Sequence, residues 1–250
     1  MRVRLTVAYD GSGFHGFAAN DGVRTVGGTL AEALGRVLRL GGPIELACAG
    51  RTDRGVHAHG QVVSFDAPAG TDLDALARSI NHLCGPAIAV REPQVVAPDF
   101  DARHSALARR YRYLVLNRPD PDPFLARSAW HIEPPLDVAA MTLACDPFIG
   151  EHDFSAFCRR PKRSDGVEVS LQRRVVEAAW HVEPDGLLRF EIEASAFCHQ
   201  MVRSVVGTMV DVGRGRRRAG DVRGVLASRD RGKAGDLAPP HGLSLWLVRY

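Results

Sequence analysis

Lysine is nearly missing from this chain: Lys162 and Lys233 are the only lysines among 32 basic residues. Arginine grips phosphate through a planar, bidentate fork, but a genome rich in arginine codons produces the same imbalance. The net charge is only +3, so no broad basic field points to nucleic acid. Cysteine is also scarce. Cys48, Cys84, Cys145, Cys158 and Cys198 are odd in number, widely scattered and never spaced C-x-x-C, which argues against a zinc site and a disulfide framework. Reduced thiols are the expectation. No uncharged apolar run approaches the ~18 residues needed to span a bilayer. The opening MRVRLTVAYDGSG lacks the apolar stretch of a signal peptide. These absences predict a cytoplasmic protein with no membrane partner.

What is present is a globular composition, with 45% hydrophobic and 24% charged residues over 250 positions, enough for one large or two small domains. Residues 2–9 alternate like a strand. Thr29 and Glu32 form a capping-box pattern ahead of a helix that stops at Gly41-Gly42. Residues 44–50 and 60–66 read as strands, 73–83 as a helix ended by Gly85-Pro86, and 87–96 as another strand. That succession is the βαββαβ pattern of ferredoxin-like folds. A similar one starts near Arg109, with a strand over 109–117 and a helix over 136–146. A hairpin follows over 172–183 and 187–194, then helices over 198–212 and 220–228 and a closing strand over 243–250. The expected fold is α+β, with two ferredoxin-like halves, residues 1–105 and 106–250. Their mainly antiparallel sheets would lie side by side around a cleft, a usual place for a site.

Gly11, Gly13 and Gly16 complete G-x-G-x-x-G after a strand, but the next helix begins about a dozen residues later, too far for a dinucleotide fingerprint. The segment Gly50-Arg51-Thr52-Asp53-Arg54-Gly55-Val56-His57-Ala58 is more informative. Its glycines permit unusual backbone angles, and two arginines flank one carboxylate and would keep it ionised. It reads equally as a salt-bridged turn or as a presented catalytic group. Arg203 interrupts the apolar helical run 197–210, and a buried arginine needs a partner; it either snorkels to solvent or meets a carboxylate in the cleft. Tyr111 and Tyr113 share one strand face, where aromatics pack a core or stack on bases. Arg159, Arg160, Lys162 and Arg163 cluster in one loop-like stretch, and Arg214, Arg216, Arg217 and Arg218 in another. Either could line an RNA path or be solvated surface.

Together these pieces resemble the TruA-type tRNA pseudouridine synthase family. The matching blocks are Tyr9-Asp10-Gly11 with Phe14 and Gly16, Arg24-Thr25-Val26, and Gly50 to Ala58 with Gly60-Gln61-Val62. They continue with Arg110-Tyr111-Arg112-Tyr113, Gly150-Glu151-His152-Asp153-Phe154, Phe197 with Met201-Val202-Arg203, and Ala238-Pro239-Pro240 with Gly242-Leu243. The resemblance implies a cofactor-free homodimer that isomerises uridine in the tRNA anticodon stem-loop, roughly at positions 38–40. It implies that Asp53 is the essential aspartate, that Arg51 helps displace the target base, that Tyr111 stacks on it and that Arg203 pairs with Asp53. The chain departs from the family at Phe17-Ala18-Ala19-Asn20, where an aromatic and a glutamine are usual, and at Gln200, where a second histidine is common.

The implied chemistry suits these residues. The bond between N1 and C1′ breaks, the uracil turns, and C5 takes the sugar, so neither a redox group nor a phosphate donor is needed. A carboxylate can attack sugar or base, or remove a ribose proton. Two other classes fit parts of the pattern: an RNA-binding module without catalysis, and a hydrolase pairing Asp53 with His57 or His59.

Overall fold

A computed structural model describes residues 1–160 and 169–250. Lys162 and Arg163 of the first basic stretch lie outside the described residues. The chain divides into two compact units, Met1–Leu107 with Ser244–Tyr250, and Ala108–Leu243.

The first unit begins with β1 (Arg2–Tyr9), whose alternation buries Val3, Leu5, Val7 and Tyr9 on one face. Helix α1 (Val26–Val37) starts earlier than the capping-box pattern predicts. Its cap is Thr25, whose hydroxyl accepts the Gly28 amide at 3.2 Å. Glycines at positions 27 and 28 masked that start. Gly27 is required there because an added Cβ would lie 2.6 Å from the Phe17 carbonyl oxygen. The expected strand over 44–50 shrinks to β2 (Ala47–Cys48). It is followed by β3 (His57–Asp66), α2 (Leu73–Cys84) and β4 (Ile88–Val95). Strand β1 lies between β4 and β3, and β2 flanks β3, all antiparallel. The buried faces of α1 and α2, led by Leu30, Leu34, Leu76 and Ile80, supply the rest of this core.

The second unit holds β5 (Ala108–Leu116), β6 (Trp130–His131), α3 (Val138–Leu143) and β7 (Gly150–Asp153). Then come β8 (Gln172–Val182), β9 (Leu187–Ala194), α4 (Met201–Gly213) and α5 (Asp221–Ser228). Strands β5, β9, β8 and β7 run in that order, antiparallel throughout, with β6 beside β5. The predicted hairpin turns through Pro184–Gly186, where Asp185 and Gly186 take positive φ of 59° and 75°. Its core gathers Tyr113, Phe148, Phe154, Phe157 and Phe190 with Met201, Val205 and Met209 of α4. The last strand, β10 (Leu243–Arg249), runs parallel to β3 in the first unit.

Reduced thiols were expected throughout. Cys158 and Cys198 lie side by side, with Cα atoms 5.8 Å apart, while Cys48, Cys84 and Cys145 are free thiols. Forty residues separate the pair, so no sequence spacing announces it. No helix among the described residues is long and apolar enough to cross a membrane.

Candidate active site

Asp53 sits in the loop between β2 and β3, half-buried between exposed Arg51 and Arg54. Three sets of contacts fix that loop. At its start, the buried Gln61 side chain donates to the Gly50 carbonyl at 2.6 Å and accepts the Gly50 amide at 3.3 Å. In its middle, the Tyr9 and Thr52 hydroxyls meet at 2.7 Å, and the Thr52 carbonyl accepts the Phe17 amide at 3.0 Å. At its end, the Val56 amide donates to the Asp53 carbonyl at 3.1 Å, closing a tight turn in which Gly55 takes φ +77°. A non-glycine residue is strained at such an angle.

Two glycines of the G-x-G-x-x-G pattern form the floor of this turn. A Cβ on Gly11 would lie 2.0 Å from the Val56 carbonyl oxygen, and one on Gly16 would lie 2.8 Å from that of Thr52. Their backbones must therefore pass flush against the catalytic-type loop. Gly13 faces open space. Sequence reading denied the pattern a nucleotide role but missed its actual one. The signal was present in the shared occurrence of these glycines with the Asp53 block, but only the fold shows that they touch.

His57 is committed to the same scaffold. Its Nδ1 lies 3.1 Å from the Gly11 amide and 3.1 Å from an Asp10 carboxylate oxygen. Both contacts tie the His57 ring to the end of β1.

In the second unit, strand alternation sorts the RRYRY block by face. Arg110 ion-pairs with Glu177, Glu191 and Glu193 at 2.7, 3.3 and 2.8 Å, and Arg112 with Glu191 at 2.5 Å. These arginines are held in a carboxylate network. Tyr111 and Tyr113 take the opposite face. Tyr111 is 8% exposed and meets the Phe197 ring edge-on, with centroids 4.9 Å apart. Tyr113 is fully buried and donates its hydroxyl to the Pro239 carbonyl at 2.8 Å. Burial pushes the Tyr113 phenol well above its ordinary range, opposed by the nearby Arg203 charge.

Arg203 is half-buried on α4. Its Nε donates to the Ala238 carbonyl at 2.7 Å, while its own carbonyl accepts the Ala238 amide at 3.2 Å. The Ala238-Pro239-Pro240 block is thus laid along α4 and anchored by Arg203 and Tyr113. Gly207 makes the close approach possible, since a Cβ there would lie 1.7 Å from the Asp236 carbonyl oxygen. Asp153 of the GEHDF block is a second anchor. Its Oδ1 accepts the Ser155 amide at 2.9 Å and the Ser155 hydroxyl at 2.5 Å, and Arg229 lies 3.1 Å from Oδ2. Burial works against its charge, but the Ser155 bonds, Arg229 and Arg160 hold its carboxyl below the usual carboxylate range. Of the basic stretch 214–218, Arg214 lies over the Trp130 ring at 5.6 Å and Arg216 lies 3.6 Å from Asp211.

Among the described residues, no group of three His, Cys, Asp or Glu side chains is arranged to hold a metal. The first unit therefore presents one carboxylate on a rigid, glycine-floored turn. The second presents an aromatic pair and an anchored arginine.

The comparisons with known proteins agree in direction. Residues 144–250 match the family model for tRNA pseudouridine synthase. A protein of Frankia casuarinae named tRNA pseudouridine synthase A is 42% identical, with 100% of this chain and 89% of that protein covered. A Dechloromonas aromatica protein of the same name is 43% identical, covering 97% of this chain and 90% of its own length. The Bacillus subtilis protein of that name is 38% identical over 100% of this chain and 99% of its own. Identity of this order from end to end goes beyond a common fold, and the chain belongs to the family of tRNA pseudouridine synthases, isomerases that turn uridine in tRNA into pseudouridine.

Proposed function

We propose that Asp53 carries this isomerisation, acting on uridines of the tRNA anticodon stem-loop at roughly positions 38–40, in a cytoplasmic homodimer that needs no cofactor. The observation that carries the assignment is the turn itself: Gln61, Tyr9, Thr52, Gly11 and Gly16 fix the loop that carries a single carboxylate through contacts at Gly50, Thr52 and Val56. Such preorganisation suits a group that must meet a reacting atom. In this reading Arg51, exposed beside Asp53, helps displace the target base. Tyr111, already in edge contact with Phe197, stacks on that base once it leaves the helix. Extrusion costs a few kcal/mol, and base–aromatic stacking returns about 1–3 kcal/mol. We also read both units as ferredoxin-like. Support comes from the element order β1-α1-β2-β3-α2-β4, its antiparallel strand order β4-β1-β3-β2, and the β5-β9-β8 succession of the second unit.

The test is tritium release from tRNA labelled at uracil C5. Isomerisation replaces the C5 hydrogen with the sugar and returns a proton to N1, so RNA length and mass are conserved while label enters water. Release is expected from tRNA carrying uridine at positions 38–40 and should vanish when those uridines are replaced by cytidine. Release that persists with all three replaced overturns the positional assignment.

Arg203 is assigned as the partner of Asp53. A guanidinium carries five N–H donors, of which the Ala238 carbonyl takes the one on Nε. Arg203→Ala is expected to lower stability by about 1.5–3 kcal/mol, the range for a hydrogen bond to a charged group, and to abolish most turnover. Arg203→Lys should restore little of either, because an ammonium cannot reproduce the fork. Thermal melting and tritium release on one preparation read both effects. Full turnover in Arg203→Ala would remove the pairing.

A further inference from the structure

Three segments of the second unit converge on one place, and two of them, 158–160 and 229–231, bring arginine. Arg159 follows Cys158, whose Cα lies 5.8 Å from that of Cys198. The Arg159 amide donates to the His199 carbonyl at 2.9 Å, and Arg231 reaches the next residue, donating to Gln200 Oε1 at 2.7 Å. Arg160 donates to the Ser155 hydroxyl at 3.4 Å, and Arg229 lies against Asp153, which also binds Ser155. All four arginines are exposed. A cavity of about 420 Å³, lined in part by Asp146, His152, Asp153 and Arg223, opens beside Arg229.

The charge balance of these segments is uneven. Asp153 is already engaged by Ser155 and Arg229, and exposed Asp230 accepts the Gly232 amide at 2.9 Å, which leaves four arginines against two carboxylates. Partial burial, and after it the like charge of Arg159, makes the Arg231 guanidinium easier to deprotonate than usual. Like charges held together by hydrogen bonds to His199 and Gln200 are unfavourable until an anion arrives, and preorganisation spares the anion the cost of gathering them. The position is also specific. Cys198 directly follows Phe197, the ring against Tyr111.

We propose that Arg159, Arg160, Arg229 and Arg231 form a docking site for RNA backbone phosphates beside the Phe197–Tyr111 pair, gripping the strand next to the displaced nucleotide. This rests on the reading of Tyr111 as the base platform. Guanidinium forks suit phosphate oxygens, and grip on the flanking backbone would keep an extruded base from returning to its stack.

The experiment is tRNA binding by the full chain across a salt series, for the wild type, Arg159→Gln, Arg231→Gln and the double variant. Arg36→Gln on α1, also exposed, is the control. Each lost phosphate contact should reduce the slope of log affinity against log salt by about 0.7–0.9. Affinity at ~0.1 M salt should fall about 3- to 10-fold per arginine, uniformly across tRNA sequences. Because the side chains are exposed, melting temperatures should not move. Slopes equal to wild type, or an equal loss in Arg36→Gln, would overturn the docking site. Tritium release by the wild-type protein is read in parallel. Its absence would count against the isomerase reading, while unaltered slopes in a protein that does release tritium would count against the docking site alone.

Discussion

Asp53→Asn is expected to fold, to bind tRNA within a few-fold of the wild type, and to release no detectable tritium. Asparagine is nearly isosteric and keeps a carbonyl oxygen for local hydrogen bonds, but it is a poor nucleophile and a poor base at neutral pH. Three contacts that hold the turn do not involve the carboxylate. Gln61 clamps Gly50, Tyr9 and Phe17 hold Thr52, and the closing bond from the Val56 amide goes to the Asp53 main-chain carbonyl. The substitution touches none of these. Binding could tighten slightly, since a negative charge near phosphates is removed. Far-UV circular dichroism, tRNA affinity and tritium release on one preparation separate the outcomes. Turnover within about ten-fold of wild type would mean that another group does the work assigned to a charged nucleophile or base. Lost binding with a sound fold would make Asp53 a binding residue instead.

Gly11→Ala is expected to be nearly as damaging although it removes no chemical group. The new methyl would lie 2.0 Å from the Val56 carbonyl oxygen and 2.6 Å from its carbon. Both are backbone atoms, so relief requires the Asp53–Val56 turn or the end of β1 to shift. The Gly11 amide would move with them and loosen its bond to His57 Nδ1. Overpacking of this kind typically costs about 1–3 kcal/mol of stability, and a misplacement of ~1 Å at reacting atoms can cost on the order of 100-fold in rate. Gly13→Ala is the matched comparison, because no atom lies within 4 Å of its added Cβ. It should keep nearly full turnover. If Gly11→Ala and Gly13→Ala behaved alike, the glycines would not serve as the floor of the Asp53 turn.

The sequence by itself determined the elements whose pattern is local. Alternation set β1 at residues 2–9, and the Pro184-Asp185-Gly186 turn set the hairpin of β8 and β9, because both depend on residues that are neighbours in the chain. The Asp53 loop was legible for the same reason: its glycines, arginines and carboxylate lie within nine residues. The start of α1 was misread at Thr29, since Gly27 and Gly28 look like breakers until Phe17 is seen to press against Gly27. Only the tertiary structure decided what holds the loop and what the arginines meet. Tyr9 and Thr52 are 43 residues apart, and Gly11 and His57 are 46. Cys158 finds Cys198 across 40 residues, and Arg203 finds Ala238 across 35. Periodicity carries no record of such pairs. Hydrogen bonds and close approaches act over a few ångströms of space, and a chain acquires those distances only when its strands and helices have packed.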